Sequence, residues 1–103
     1  WAQQQVFGRL LEASEHNALR YRQSDDLPYG KSWNTGANFA QGMSCTHWAA
    51  GLPGVRLAGS LEVPYATAGG TAVDAASARR FGRGVAAALR GYLGAAERSP
   101  QTR

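Results

Sequence analysis

One cysteine, one methionine and one lysine are all that the 103 residues hold of those three types. The single thiol, Cys45, excludes an internal disulfide framework and a thiolate zinc site. The chain starts at Trp1 and its only methionine is Met43, so it reads as one piece of a longer translation product. No apolar run approaches the roughly 20 residues that a membrane-spanning helix needs, and no signal-peptide pattern opens the chain. Acidic residues are scarce too. Seven Asp and Glu stand against eleven Lys and Arg, for a formal net charge of +4. Because Lys31 is the only lysine, that charge is nearly all guanidinium. A charge of this size bears on solubility and loose association, and does not define a site.

What the chain does contain is enough apolar material to pack. Apolar residues make up 44% and aromatics 10%, a composition that excludes wholesale disorder. The length fits one small domain or a part of a larger one. Residues 2–18 read as a helix, because Val6, Leu10 and Ala13, with Phe7, Leu11 and Ala18 beside them, recur at three- and four-residue steps. Residues 19–23 alternate and suit a short strand or extended arm. Residues 24–32 carry turn chemistry in their Asp, Pro and Gly residues. A second helix is expected over 36–50, capped by Asn34 or Thr35 and stopped by Gly51-Leu52-Pro53-Gly54.

The clearest strand lies at 55–63. Val55, Leu57, Leu61 and Val63 point one way, Arg56, Ala58, Ser60 and Glu62 the other, and Pro64 ends it. A small-residue loop follows at 66–72. The last helix starts at Asp74, carries Ala78, Phe81, Val85, Ala88, Leu89 and Tyr92 as an apolar stripe, and is expected to stop at Gly94, with 96–103 as a frayed tail. Gly82, Gly84 and Gly91 weaken it intrinsically, so packing must hold it. Helix, strand and helix make an α/β pattern. One strong strand cannot form a stable sheet alone, so 1–103 reads as a partial single domain that needs the rest of its fold.

Few residues carry chemistry. Glu62 is the last polar residue of the strand, and in open α/β sheets ligands bind beyond the carboxyl ends of the strands. A general base would stand there. The plain alternative is a solvated edge-strand glutamate paired with Arg56 on the same face. His16 and His47 belong to no H-x-x-E or H-E-x-x-H spacing, so no metal ligand is assigned in this chain. Cys45 and His47, two apart on a helix, do not face each other, and Cys45 reads as a small core or groove residue. Ser60 lacks the G-x-S-x-G elbow. Gly69-Gly70-Thr71 lacks the rest of a phosphate loop. Arg79, Arg80, Arg83 and Arg90 share an arc of the last helix and read as its solvated face, without the interleaved aromatics of a nucleic-acid surface.

Taken together, Ser60-Leu61-Glu62-Val63-Pro64-Tyr65, the loop after it, and Asp74 followed by Ala78-Arg79-Arg80-Phe81-Gly82, Val85-Ala86-Ala87-Ala88-Leu89 and Tyr92-Leu93 resemble the closing segment of zinc carboxypeptidase-like proteins. The resemblance covers residues 38–94. It implies the C-terminal portion of a carboxypeptidase-like α/β/α domain, in which a strand delivers the catalytic glutamate and a long helix closes the fold. By that resemblance Glu62 is the general base toward the attacking water and then the proton shuttle to the leaving amine. Zinc is the implied cofactor of the full-length protein, held by upstream residues that this chain does not contain. The substrate is a peptide or amide, and the partner is the rest of the catalytic domain. Tyr29 is the nearest match to the mobile substrate-binding tyrosine of the family, its alternative being a turn tyrosine packed on Trp33. Two other readings stand beside this one. One is a small basic interaction module that meets an acidic partner or nucleic acid through the arginine face. The other is a relative that keeps the fold and a binding role without the activity.

Overall fold

The computed structural model describes residues 1–35 and 42–98. In chain order the elements are helix α1 (Ala2–Glu12), a 3-10 turn (Gln23–Asp25), helix α2 (Cys45–Ala50), strands β1 (Thr67–Ala68) and β2 (Thr71–Ala72), and helix α3 (Ala75–Arg98). The architecture is mixed: helices with one small two-stranded antiparallel sheet. No helix among the described residues is long and apolar enough to cross a membrane.

The core lies where α1 crosses α3. Leu11 is fully buried, and Leu19, Ala88 and Tyr92 are nearly so. Leu19 comes from the extended arm after α1, not from a helix. The expected helix over 2–18 ends at Glu12, because the polar run that follows satisfies the backbone in another way. Ala13 closes the last turn, the Ser14 hydroxyl accepts the His16 amide at 3.3 Å, and the Asn17 side-chain amide donates to the Leu11 carbonyl. Ser and Asn that offer such local bonds compete with helix propagation.

The glycines expected to weaken α3 prove to divide by face. Gly84 is buried against the loop after α1, and a Cβ there would stand 2.5 Å from Asn17 Oδ1. Gly91 opposes Leu10, whose methyls would lie 3.6–3.7 Å from an added Cβ. Gly82 faces open space. The helix thus gives up propensity at Gly84 to make room for the Asn17 side chain. The Gln3 side-chain carbonyl accepts a hydrogen bond from the Tyr92 hydroxyl, a second tie between the ends of the two helices.

The start of α3 matches its expected cap. The Ser77 amide donates to Asp74 Oδ1 at 2.8 Å, and the Asp74 amide donates to the Ser77 hydroxyl at 2.9 Å, a reciprocal box at the helix entry. The buried Ser77 hydroxyl also donates to the Ala72 carbonyl at 2.9 Å, fastening the sheet to the helix. The other end differs from expectation. α3 runs through Gly94 to Arg98, so the expected stop is passed and only residues 99–103 of the expected tail lie outside the described residues. Gly94 lacks the left-handed backbone that would make it a cap; among the described residues the positive-φ glycines are at 30, 42, 54, 69 and 70.

The loop at 66–72 is a miniature hairpin. Thr67 pairs with Ala72 and Ala68 with Thr71, and Gly69 and Gly70 between them have φ of 56° and 86°. Two successive positive φ values are what a type I′ two-residue turn demands, and glycine meets them without strain.

Two expectations for the middle of the chain are corrected. The second helix is six residues long, Cys45–Ala50, not one starting at 36. Gly42 has φ 91°, and Ser44, in extended backbone, supplies the cap by accepting the His47 amide at 3.1 Å. The Asn34 side chain donates to the Leu27 carbonyl at 3.2 Å. Residues 36–41 of that expected helix lie outside the described residues. Residues 55–63, expected to be the strand carrying Glu62, form no ladder among the described residues. Val55, Leu61 and Val63 are 39%, 45% and 46% exposed. The alternating pattern is real, but a strand needs a neighbour for its backbone groups, and no other described segment lies alongside to pair with it.

Candidate functional site

The segment 55–60 is held by side chains instead of a sheet. From α1, the Gln4 amide donates to the Ala58 carbonyl. From α2, the Thr46 and Ser60 hydroxyls share a hydrogen bond at 2.7 Å. These ties open a cleft of about 590 Å³ between α1, the turn at 29–35, α2 and the segment. Its chemistry-bearing walls are Trp1, Tyr29, His47 and Arg56, with Met43 and Val55 beside them.

The Tyr29 and His47 rings meet across the cleft, centroids 6.3 Å apart and tilted by 47°. Tyr29 therefore stands against α2, and Trp33, the expected packing partner, is itself 61% exposed. The turn that carries Tyr29 is set by the Gly30 amide, which donates to the Asn34 carbonyl at 2.7 Å, and by the bridge between Lys31 and Asn34.

Glu62 lies beyond the cleft and does not line it. It is exposed, four residues past Ala58 on the same segment. Among the described residues no ion pair joins it to Arg56, so the expected pairing of those two is not formed. Cys45 is exposed at the start of α2, which corrects its reading as a core residue. His16 is exposed in the turn after α1, on a different segment from His47. Among the described residues no group of three or more His, Cys, Asp or Glu could hold a metal ion. The described residues therefore do not fit a zinc ion. Arg79, Arg80, Arg83 and Arg90 are all exposed on α3.

Sequence reasoning singled out Glu62 and Tyr29 but not the grouping of Trp1, His47 and Arg56 around Tyr29. These come from separate segments and share no spacing that a linear motif could reveal. In comparisons with known proteins, no family model, no curated protein and no solved structure matches the chain.

Proposed function

We propose that this chain is the C-terminal part of a zinc-dependent, metallocarboxypeptidase-like hydrolase that cleaves a C-terminal peptide or amide bond, with Glu62 as general base. The observation that supports this most is the state of residues 55–64. Their apolar residues alternate as those of a strand do, yet the segment has no ladder among the described residues, and Val55, Leu61 and Val63 stand open. An alternating apolar face left uncovered is what a sheet strand looks like without its neighbours. After it come a tight turn and the 24-residue helix α3, in the order that the resemblance implies.

The chemistry asked of Glu62 is ordinary for a carboxylate. Within hydrogen-bond reach of an attacking water, a carboxylate takes its proton and passes it to the departing amine. The metal of such an enzyme supplies charge stabilisation to the reacting carbonyl, and its ligands belong outside this chain. Tyr29 is placed by this reading near the substrate. It is 62% exposed, on the turn that faces α2.

The test uses the full-length native protein. Glu62→Gln is expected to cut kcat for a peptide substrate by about 10²–10⁴-fold, with KM and bound zinc little changed. A full-length protein that holds no zinc, or a Glu62→Gln variant with normal turnover, refutes the reading.

A further inference from the structure

The cleft beside α2 has a composition that a solvent-filled hollow does not need. At about 590 Å³ it falls within the size range of small-molecule sites. No Asp or Glu is among the described residues that line it, whereas Arg56 and His47 are. Among the described residues no carboxylate forms an ion pair with Arg56. Around this cation stand large apolar side chains left open: Trp1 is 44% exposed, Met43 58% and Val55 39%. The polar hydrogen bonds that shape the walls, Gln4 to Ala58 and Thr46 to Ser60, are made between protein groups and hold the lining in place without occupying Arg56.

From this juxtaposition we infer that the cleft binds a small organic acid, in which one carboxylate is joined to a ring-sized apolar body. The planar guanidinium of Arg56 presents paired N–H donors that match the two oxygens of a carboxylate. One such fork suits a monoanion; a phosphate would call for more positive charge or a cradle of backbone amides than the lining offers. The ring of the ligand covers open apolar surface of Trp1 and Met43, in the cleft that the Tyr29 and His47 rings also line. The inference does not rest on the hydrolase reading, since Glu62 lies outside the cleft.

Phenylacetate is the probe, added to the chain while the indole N–H signal of Trp1 and the ring signals of His47 are followed by NMR. Saturable shifts are expected, with a dissociation constant on the order of 1 mM for a ligand of this size. Phenylacetamide, which keeps the ring and loses the charge, and acetate, which keeps the charge and loses the ring, are each expected to bind on the order of tenfold more weakly. Arg56→Gln is expected to lose phenylacetate affinity by a similar factor. Arg90→Gln, on the solvent side of α3, is expected to match the parent chain. Arg56 is exposed, so its replacement leaves the packed core intact. The inference is overturned by phenylacetamide binding as well as phenylacetate, by an Arg56→Gln variant with parental affinity, by equal losses in both arginine variants, or by shifts that never saturate.

Discussion

Replacing each of two glycines in α3 by alanine separates helix propensity from packing. Gly82 and Gly84 sit two residues apart in one helix, and nothing in the sequence tells them apart. Alanine in a helix interior is favoured over glycine by about 1 kcal/mol. At Gly82 an added Cβ meets nothing within 4 Å, so Gly82→Ala is expected to stabilise by up to about 1 kcal/mol. At Gly84 the same methyl would stand 2.5 Å from Asn17 Oδ1 and 3.3 Å from Ser14 Oγ. Asn17 can give way only by moving the side chain whose amide caps the Leu11 carbonyl. Losing that bond costs about 1 kcal/mol, and crowding a packed contact costs a further 1–3 kcal/mol. The propensity gain is outweighed, so Gly84→Ala is expected to be destabilising by about 1–3 kcal/mol. Urea unfolding followed by far-UV circular dichroism reads the difference as opposite shifts of the midpoint at an unchanged slope. Equal stabilisation by both substitutions would refute the claim that α1 and its loop are seated on Gly84.

The cap of α3 predicts an acid dependence. Bonds from the Ser77 amide and hydroxyl, with a lesser contribution from Arg80, hold the Asp74 carboxyl below its usual range. A carboxylate lowered on folding contributes stability above its unfolded pKa, and this is lost as the pH falls through the folded value. Helicity of α3 should therefore decline as the pH falls below about 4, and Asp74→Asn should flatten that decline. Tyr21 behaves in the opposite sense. Burial first, then its 2.6 Å bond to Asp26 Oδ2 and the nearby Glu12, pushes its hydroxyl above the ordinary value. The neutral phenol is the form that the fold favours, so its contribution is complete below the unfolded pKa of about 10 and lost as the pH rises past it. Absorbance titration should show one tyrosine that ionises late, missing in Tyr21→Phe; four ordinary titrations would contradict this. If the arginine arc of α3 meets an acidic partner, changing Arg79, Arg83 and Arg90 together to Gln should abolish salt-sensitive retention on heparin. Unchanged retention removes that reading.

How much was legible in the sequence depended on whether a feature is decided within a few residues or across many. The cap at Asp74 and the identity of α3 were legible, because a capping side chain and a helical stripe act within one or two turns. The hairpin at 67–72 was only half legible. Gly69-Gly70 signals a turn, but two-residue strands carry no alternation long enough to count. The end of α1 was missed since Ala13 and Ala18 extend the stripe, while the decision belonged to the Ser14 and Asn17 side chains. The continuation of α3 past Gly94 was missed for the reason that glycine tolerates a cap but does not impose one. The cleft was the least legible feature. Trp1, Tyr29, His47 and Arg56 are brought together by Gln4 on Ala58 and Thr46 on Ser60, contacts 54 and 14 residues apart in sequence.

The proposed function accounts together for two of the open apolar surfaces among the described residues. One is the apolar side of residues 55–63. The other is the side of α3 that carries Leu89 and Leu93, 41% and 59% exposed, one turn apart and turned away from Ala88 and Tyr92. A soluble helix ordinarily shows one apolar stripe, and here α1 already covers one. A second apolar edge has a use only against a further layer, and an alternating segment without a ladder has a use only beside other strands. In a layered α/β domain both are met at once: the strand joins a sheet and the helix closes over that sheet. Pairing residues 55–63 would also fix the backbone that carries Glu62, whose nearest side-chain tie among the described residues is the Thr46–Ser60 bond. On the proposed reading, Glu62 gains its aim from the strands beside it and its chemistry from the ion they bring. On that reading the amides of residues 55–63 should be protected from hydrogen exchange in the full-length protein, and amides that still exchange freely there would remove the strand and the proposed role of Glu62 with it.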